Sequence, residues 1–522
     1  MATVSNALAI GIARAPATPK SDTARRVTLL YLVTVVVLFL VMGLLGLTMR
    51  SQQAGLLTLS SQQFYAVLTL HGTGMITAAL LGTMAALWFV VQPTLLLDPL
   101  PMLLTYWIAM AGVLCVAIST LWGGFAPGWT FLYPLPFYGW WPAWSTALFL
   151  LGDLLVGFAF GLFCLVILIE AVRTYGGLSQ ALALPMLWRK GDGHGTPEGI
   201  PPPPVLIATI TAIQGVIIAG SGTVIGLGLL GHLANTGVGL DPLWAKNITY
   251  FFGHSIANIA IYLAAGMLYA IMPRYAHREW PTTRPVVVAW LMILVFVLPA
   301  YFHHLYMDFV QPLALDVAGE GITYLAVGGS LVVTIFGALL LVWRSNFRWT
   351  LGSVLIYAGF SGWVIGGIAA ALDVLIPFNF RLHNTLWVVG HFHSYYLLGI
   401  MLFLFGFLTY LLEEAAGAES SPRVRMLVPG AILFGGWGLL GIWLLGGLLS
   451  LPRRYFIQPP GGEILARFAV GAVLILILGL LGLLGEWWRL IAVGRRRQAA
   501  LRAGLAPLDE TLLREAGFRL VT

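Results

Sequence analysis

Twelve apolar runs, each long enough to cross a bilayer, divide this chain, and polar, basic or proline-rich segments separate them. A helical crossing needs about 20 predominantly apolar residues. The runs occupy approximately 26–48, 64–93, 101–123, 143–172, 203–232, 246–273, 285–306, 321–343, 350–372, 384–412, 426–449 and 466–493. The pattern predicts an all-α, polytopic membrane protein with twelve transmembrane helices in a single domain spanning 1–522. It leaves a polar N-terminal tail over about 1–25 and a C-terminal tail over about 495–522. No cleavable signal is evident, because the first run reads as a true span. The segment Leu184 to Pro204, with GDGHGTPEGIPPPP, reads as a loop, since clustered glycine and proline do not continue a helix.

Composition agrees. The chain is 59% hydrophobic and 9% charged, with mean hydropathy +0.91, whereas soluble domains carry about 25% charged residues. The net charge of +7 does not point to nucleic acid. The basic residues gather in alternate loops, among them Arg173, Arg189, Lys190, Arg274, Arg278, Arg284, Arg344, Arg348, Arg423, Arg425 and Arg495–Arg497. By the positive-inside rule both termini are then cytoplasmic. Cys115 and Cys164 lie in apolar runs and read as small core residues. There is no Cys-x-x-Cys-His for a c-type haem and no cupredoxin-like tail, so an electron-input centre belongs on another subunit.

Six of the ten histidines sit in apolar surroundings: His71, His254, the adjacent His303 and His304, and His391 with His393. Ionisable groups within spans are rare and functional, and imidazole is the commonest protein ligand of haem iron, copper and non-haem iron. Counting from the span ends at 1.5 Å per residue places all six within about the outer 15 Å of the bilayer. Four helices thus deliver imidazoles to one layer. Residues two apart on a helix differ by about 200° around its axis, so His391 and His393 face opposite sides of span ten and can serve two haems. His71 can complete a six-coordinate haem, and His254 with His303 and His304 can hold a single metal. His194 and His277 fall in cytoplasmic loops and read as solvated.

These motifs, LTLHG in span two, GH in span six, HH ending span seven, HNTLWVVGHFH opening span ten and LPRRYF after span eleven, resemble subunit I of the haem–copper oxidase superfamily. The B-type oxygen reductases are the nearest in look. The resemblance implies two haems, one low-spin and one high-spin, and one copper or non-haem iron. His71 and His393 would be the axial ligands of the low-spin haem, His391 the proximal ligand of the high-spin haem, and His254, His303 and His304 the ligands of the second metal. Arg453 and Arg454 would pair with haem propionates, a role that two adjacent guanidiniums suit; an interfacial anchor is the other reading. His383 and Asn384 would sit near the propionates or a water cluster. The setting implied is a prokaryotic cytoplasmic membrane, with lipid around the chain. The partner would be a second subunit carrying the electron-input centre, cupredoxin-like or of cytochrome c type.

The chain departs from that family at the active-site tyrosine. Four residues after His254 stands Asn258, and six before the histidine pair stands Val297, both positions at which oxygen reductases place it. Asn258 cannot donate an electron; its amide can hydrogen-bond or offer a carbonyl oxygen. Reducing two NO to N2O and water takes two electrons, which two metals can supply without a protein radical. The sequence therefore favours nitric oxide reduction, with Asn258, His254, His303 and His304 at the reacting centre. The alternative is a proton-pumping cytochrome c oxidase reducing O2 to water, with Tyr262 or Tyr301 replacing the missing tyrosine. Candidate proton-path residues are Tyr262 and Tyr269 on span six, Ser330 and Thr334 on span eight, and Asp153, the acid placed deepest in a span. Asp308, Asp316 and Glu320 could feed protons from outside.

Overall fold

The computed structural model describes residues 19–188, 199–235, 237, 239–308, 312–502 and 519–520. Most of the N-terminal tail, His194 and most of the C-terminal tail lie outside them. The fold is all-α: α1 (Pro19–Gln53), α2 (Ser61–Leu95), α3 (Pro99–Leu121), α4 (Ala143–Tyr175), α5 (Pro203–Ala234), α6 (Pro242–Ala276), α7 (Arg284–Phe296), α8 (Leu313–Val342), α9 (Leu351–Val374), α10 (Leu386–Ala416), α11 (Pro422–Leu448) and α12 (Gly462–Arg502). The only pairing of strands among the described residues is Ala418–Glu419 with Arg519–Leu520. The helix over 495–502 extends into what the sequence pattern assigns to a tail.

The expected seventh crossing differs from the others. Eleven described helices are long and apolar enough to span, and α7 is a short apolar helix of 13 residues. It stops because Pro299 has no N–H to donate and disfavours helix at the residue before it. The chain continues as a 3-10 segment, Pro299–His304, so run 285–306 is a broken span.

Local signals set the other ends. Ser60 forms a capping box with Gln63, and the Asp98, Asp241 and Ser421 side chains accept from Leu100, Trp244 and Val424 N–H groups. Such caps satisfy the first N–H groups of a helix, which have no partner of their own. Proline follows at the first helical turn in α3, α6 and α11, where its missing N–H costs nothing.

Sequential helices neighbour one another except α6 and α7, since α7 packs against α8 and α5, and α12 returns to α1 and α10. Three helices form the centre. In α2, α6 and α10 the buried share of the apolar window is 72%, 78% and 78%, against 28–61% in the other spans. Those three carry four of the six histidines. Close approach around α10 depends on small residues: a Cβ at Gly447 of α11 would overlap the Trp387 backbone, and one at Gly362 of α9 would overlap the Ser394–Gly399 backbone. Just beyond the histidines, Tyr396–Ile400 form one wider π-type turn, a local irregularity frequent at functional sites.

Gly447→Val is expected to cost about 1–3 kcal/mol through overpacking. It should lower the midpoint of thermal unfolding in detergent and reduce haem content, while membrane insertion is unchanged.

Candidate metal and haem centre

The four histidines on α2, α6 and α10, and the pair on the 3-10 segment, converge on one cavity of about 690 Å3. They form two distinct arrangements.

The first is a triad. One nitrogen from each of His254, His303 and His304 falls within 4.8 Å of the others. His254 Nδ1 and His304 Nε2 face each other at 3.3 Å, the separation of two ligands bound about 2 Å from one metal. The rings are crossed rather than stacked, at 81° for His254 with His303 and 65° for His254 with His304. The broken span makes this possible, because adjacent histidines on a 3-10 turn both reach the cavity.

Outer groups orient these rings. His303 Nδ1 lies 3.3 Å from Thr323 Oγ1 of α8. Asn258 Nδ2 lies 3.1 Å from His254 Nε2 and donates to the His254 carbonyl at 2.9 Å. Asn258 is thereby the neighbour of the outer nitrogen of His254; Nδ1 is free of a proton for a metal when the Asn258 amide oxygen, rather than its NH2, is turned to Nε2. Such partners fix which imidazole nitrogen binds a metal.

The second arrangement is a facing pair. The His71 and His393 ring centroids are 6.3 Å apart with planes 12° from parallel. His71 Nδ1 hydrogen-bonds the Met42 carbonyl at 2.7 Å, and His393 Nδ1 the Val389 carbonyl at 2.8 Å. With Nδ1–H donated in each, both Nε2 lone pairs are free to face one metal between them. Gly72 belongs to this arrangement: a Cβ there would overlap the Trp129 ring, which covers the site from the outer loop. His391 lines the cavity, edge-on to Tyr395 at 5.8 Å. It lies within electrostatic reach of His254 and His303, so the two histidines of the His-x-His motif serve different arrangements.

Guanidiniums ring the outer side. The loop after α11 is tied to the start of α10 by Leu386 N–H to the Leu451 carbonyl and Arg453 N–H to the Asn384 carbonyl. Arg453 Nη2 donates to Asn384 Oδ1 at 3.3 Å, and Arg454 lies 5.7 Å over Trp129. Arg454 holds a left-handed backbone, φ 65°, uncommon for a residue with a side chain. Burial lowers both arginines, Arg454 to about 10, with Arg453 adding to the effect on Arg454 and Tyr250 opposing it. Arg50, absent from the sequence reasoning, lies 4.9 Å over Trp443 and lines the same cavity. None of these three arginines forms an ion pair among the described residues. Carboxylates on a bound ring would supply the missing anions, and the facing imidazoles would supply its axial ligands, so the residues present fit haem.

His383 is buried, with Nδ1 3.5 Å from Asp373 Oδ2 and beside Asn379. Asp373 and Asn379 have no motif in the sequence and emerge only from the packing of α9 against α10. Asp153 lies within α4 on a face that no other described helix covers, and the acids buried against protein within helices are Asp316, Asp373, Glu413 and Glu486. α4 packs against α3 and α5, and no hydrogen bond among the described residues joins Asp153 to the α6 and α8 hydroxyls. Of those, Tyr269 and Thr334 are hydrogen-bonded at 3.2 Å. Ser330 donates to its own helix at Val327, and the Tyr262 hydroxyl has no partner. Tyr301 donates to Asn247 Oδ1 at 3.1 Å and does not line the cavity.

The chain was compared with known proteins. The family profile described as Cytochrome C and Quinol oxidase polypeptide I matches residues 26–481. Cytochrome c oxidase subunit 1 of Thermus thermophilus is 27% identical over 316 residues, covering 54% of this chain and 54% of that protein. Cytochrome c oxidase subunit 1 of Bacillus subtilis is 23% identical over 486 residues, covering 88% and 74%. The Thermus match spans about half of that relative's length. A solved heme-copper terminal oxidase dimer aligns with TM-score 0.73 at 20% identity, covering 90% of this chain and 84% of that one, a likeness of fold.

Thr323→Val removes the outer partner of His303 and is expected to weaken metal affinity about 10–100-fold. Metal analysis after graded chelator challenge checks this.

Proposed function

This chain belongs to the cytochrome c and quinol oxidase polypeptide I family, and from that premise we propose that it is the catalytic subunit of a respiratory terminal oxidase reducing O2 to water. The observation that carries this reading is the chemistry of the triad. Among the described residues its metal-capable set is three imidazoles and no carboxylate, with the neutral Asn258 beside them. Imidazole suits copper well, whereas a ferrous site is favoured by anionic oxygen. A copper-type second metal, together with relatives named cytochrome c oxidase, supports oxygen reduction over the nitric oxide reduction that the missing tyrosine favours in the sequence alone.

Bound at these residues, two haems and a copper ion supply electron storage and the site where O2 is reduced. The protein's part is positioning. Met42 and Val389 carbonyls hold His71 and His393 in the tautomer that presents Nε2. Thr323 does the same for His303, and Asn258 packs against the outer nitrogen of His254, whose Nδ1 faces the triad. Arg453 and Arg454 hold carboxylates at the outer edge, and Trp129 with Trp443 excludes water there. Tyr269 and Thr334 form the one hydrogen-bonded segment that supports proton supply from the inner side. The exposed Asp153 is left out of that route. We assign electron input to a second subunit of cupredoxin or cytochrome c type, and the membrane to a bacterial cytoplasmic membrane with both termini inside.

Nitric oxide reduction is the second reading, favoured by Asn258 and Val297, neither of which is a tyrosine. Parallel turnover on the purified complex separates the two. Steady O2 uptake to water with little N2O from NO is expected; rapid N2O formation with negligible O2 uptake would overturn the oxidase reading. Copper at about one ion per chain is the accompanying expectation from a three-imidazole set.

A further inference from the structure

An oxygen reductase needs an electron and a proton beyond what the two metals at its reacting centre hold. Cleaving O–O and forming two waters takes four electrons, and a haem iron with one copper holds three. Neither Asn258 nor Val297 can supply the fourth. On the oxygen-reducing reading, we propose that Tyr250 is the redox-active phenol of this centre, placed one helical turn outward of His254 instead of one turn inward.

Tyr250, His254 and Asn258 are spaced four apart on α6 and so share one face of the helix. The Tyr250 ring lies nearly parallel to His304, with centroids 5.3 Å apart and planes at 19°. A stacked aromatic contact with a triad imidazole is a short path for an electron. The ring lines the cavity that holds the triad. Its hydroxyl makes no hydrogen bond to a described residue, and both Arg453 and Arg454 lie within electrostatic reach of it.

The other tyrosines on the cavity are committed elsewhere. Tyr396 donates to the Ala257 carbonyl at 2.9 Å and Tyr324 to the Ala371 carbonyl at 2.7 Å. Tyr395 lies against His391, not against the triad.

Two tethers hold Tyr250 in place. Lys246, one turn outward on α6, pairs with Asp308 at 2.5 Å. Asn247 accepts from Tyr301 at 3.1 Å. Both tie the first turns of α6 to the segment that carries His303 and His304, so ring and imidazole move together.

In the proposed step the Tyr250 O–H bond breaks. Its electron passes to the reacting centre through His304, and its proton goes to a reduced oxygen as the O–O bond breaks. Tyr250 becomes a neutral phenoxyl radical. One electron from the respiratory donor, through the low-spin haem, and one proton restore it, completing O2 + 4 e− + 4 H+ → 2 H2O.

The test is freeze-quench EPR of the purified complex treated with hydrogen peroxide, prepared with natural and with ring-deuterated tyrosine, beside steady-state O2 uptake. The wild type should give a radical signal that narrows on deuteration. Tyr250→Phe, which keeps the ring, should lose that signal and slow O2 uptake at least about tenfold, with haem spectrum and copper content unchanged. Tyr357→Phe, on α9 away from the cavity with its hydroxyl on the Ala338 carbonyl, should keep both. A deuteration-sensitive signal and full turnover in Tyr250→Phe would overturn the assignment. A wild type that reduces NO but not O2 would instead overturn the oxidase reading on which it rests.

Discussion

A polar group inside the hydrocarbon layer must find a partner within the protein, and this one constraint organises the molecule. An unpaired polar group away from water costs several kcal/mol. Four of the six membrane histidines, His71, His254, His303 and His393, meet the demand by dividing their two nitrogens. One nitrogen is held by a backbone carbonyl, a threonine or an asparagine, and the other is turned to the cavity. Met42, Val389, Thr323 and Asn258 are therefore as much part of the centre as the imidazoles. The same constraint explains why the outer arginines gather where a carboxylate-bearing ring would lie, since burial without an anion works against their charge.

The bundle is built around the places where regular helix would fail the site. An unbroken seventh helix would hold two adjacent histidines 100° apart on a straight cylinder. Pro299 ends it early, and the 3-10 segment lets both rings reach His254. On α10 the reverse holds: a regular helix over Leu386–Tyr395 turns His391 and His393 to opposite sides, and the wider turn follows only after both are placed. Glycines at 72, 362 and 447 let Trp129, α9 and α11 approach closely enough to wall the cavity.

Much of this was legible in the residues. Apolar run length predicted the spans, and depth counting brought six histidines into one layer. The weak points were those where side chains from distant segments decide. Asp153 read as buried because a run of apolar neighbours surrounds it in sequence, yet the packing leaves it exposed. Asp373, Asn379 and Arg50 carried no local signal; their importance comes from α9, α10 and α1 meeting. Tyr301 stood beside Tyr262 as a replacement for the missing tyrosine, but the 3-10 turn directs it to Asn247, and it is Tyr250, which carried no signal in the sequence, that lies on His304.

By itself the sequence determined the all-α membrane class, the family and the six imidazoles, because run length and residue type are local properties that hydrocarbon thickness and ligand chemistry read directly. The tertiary structure alone decided which nitrogens face inward, that the seventh span is broken, and which tyrosine borders the triad. Those depend on contacts between helices far apart in the chain, and the distances between side chains there follow from packing, which no spacing along one helix contains.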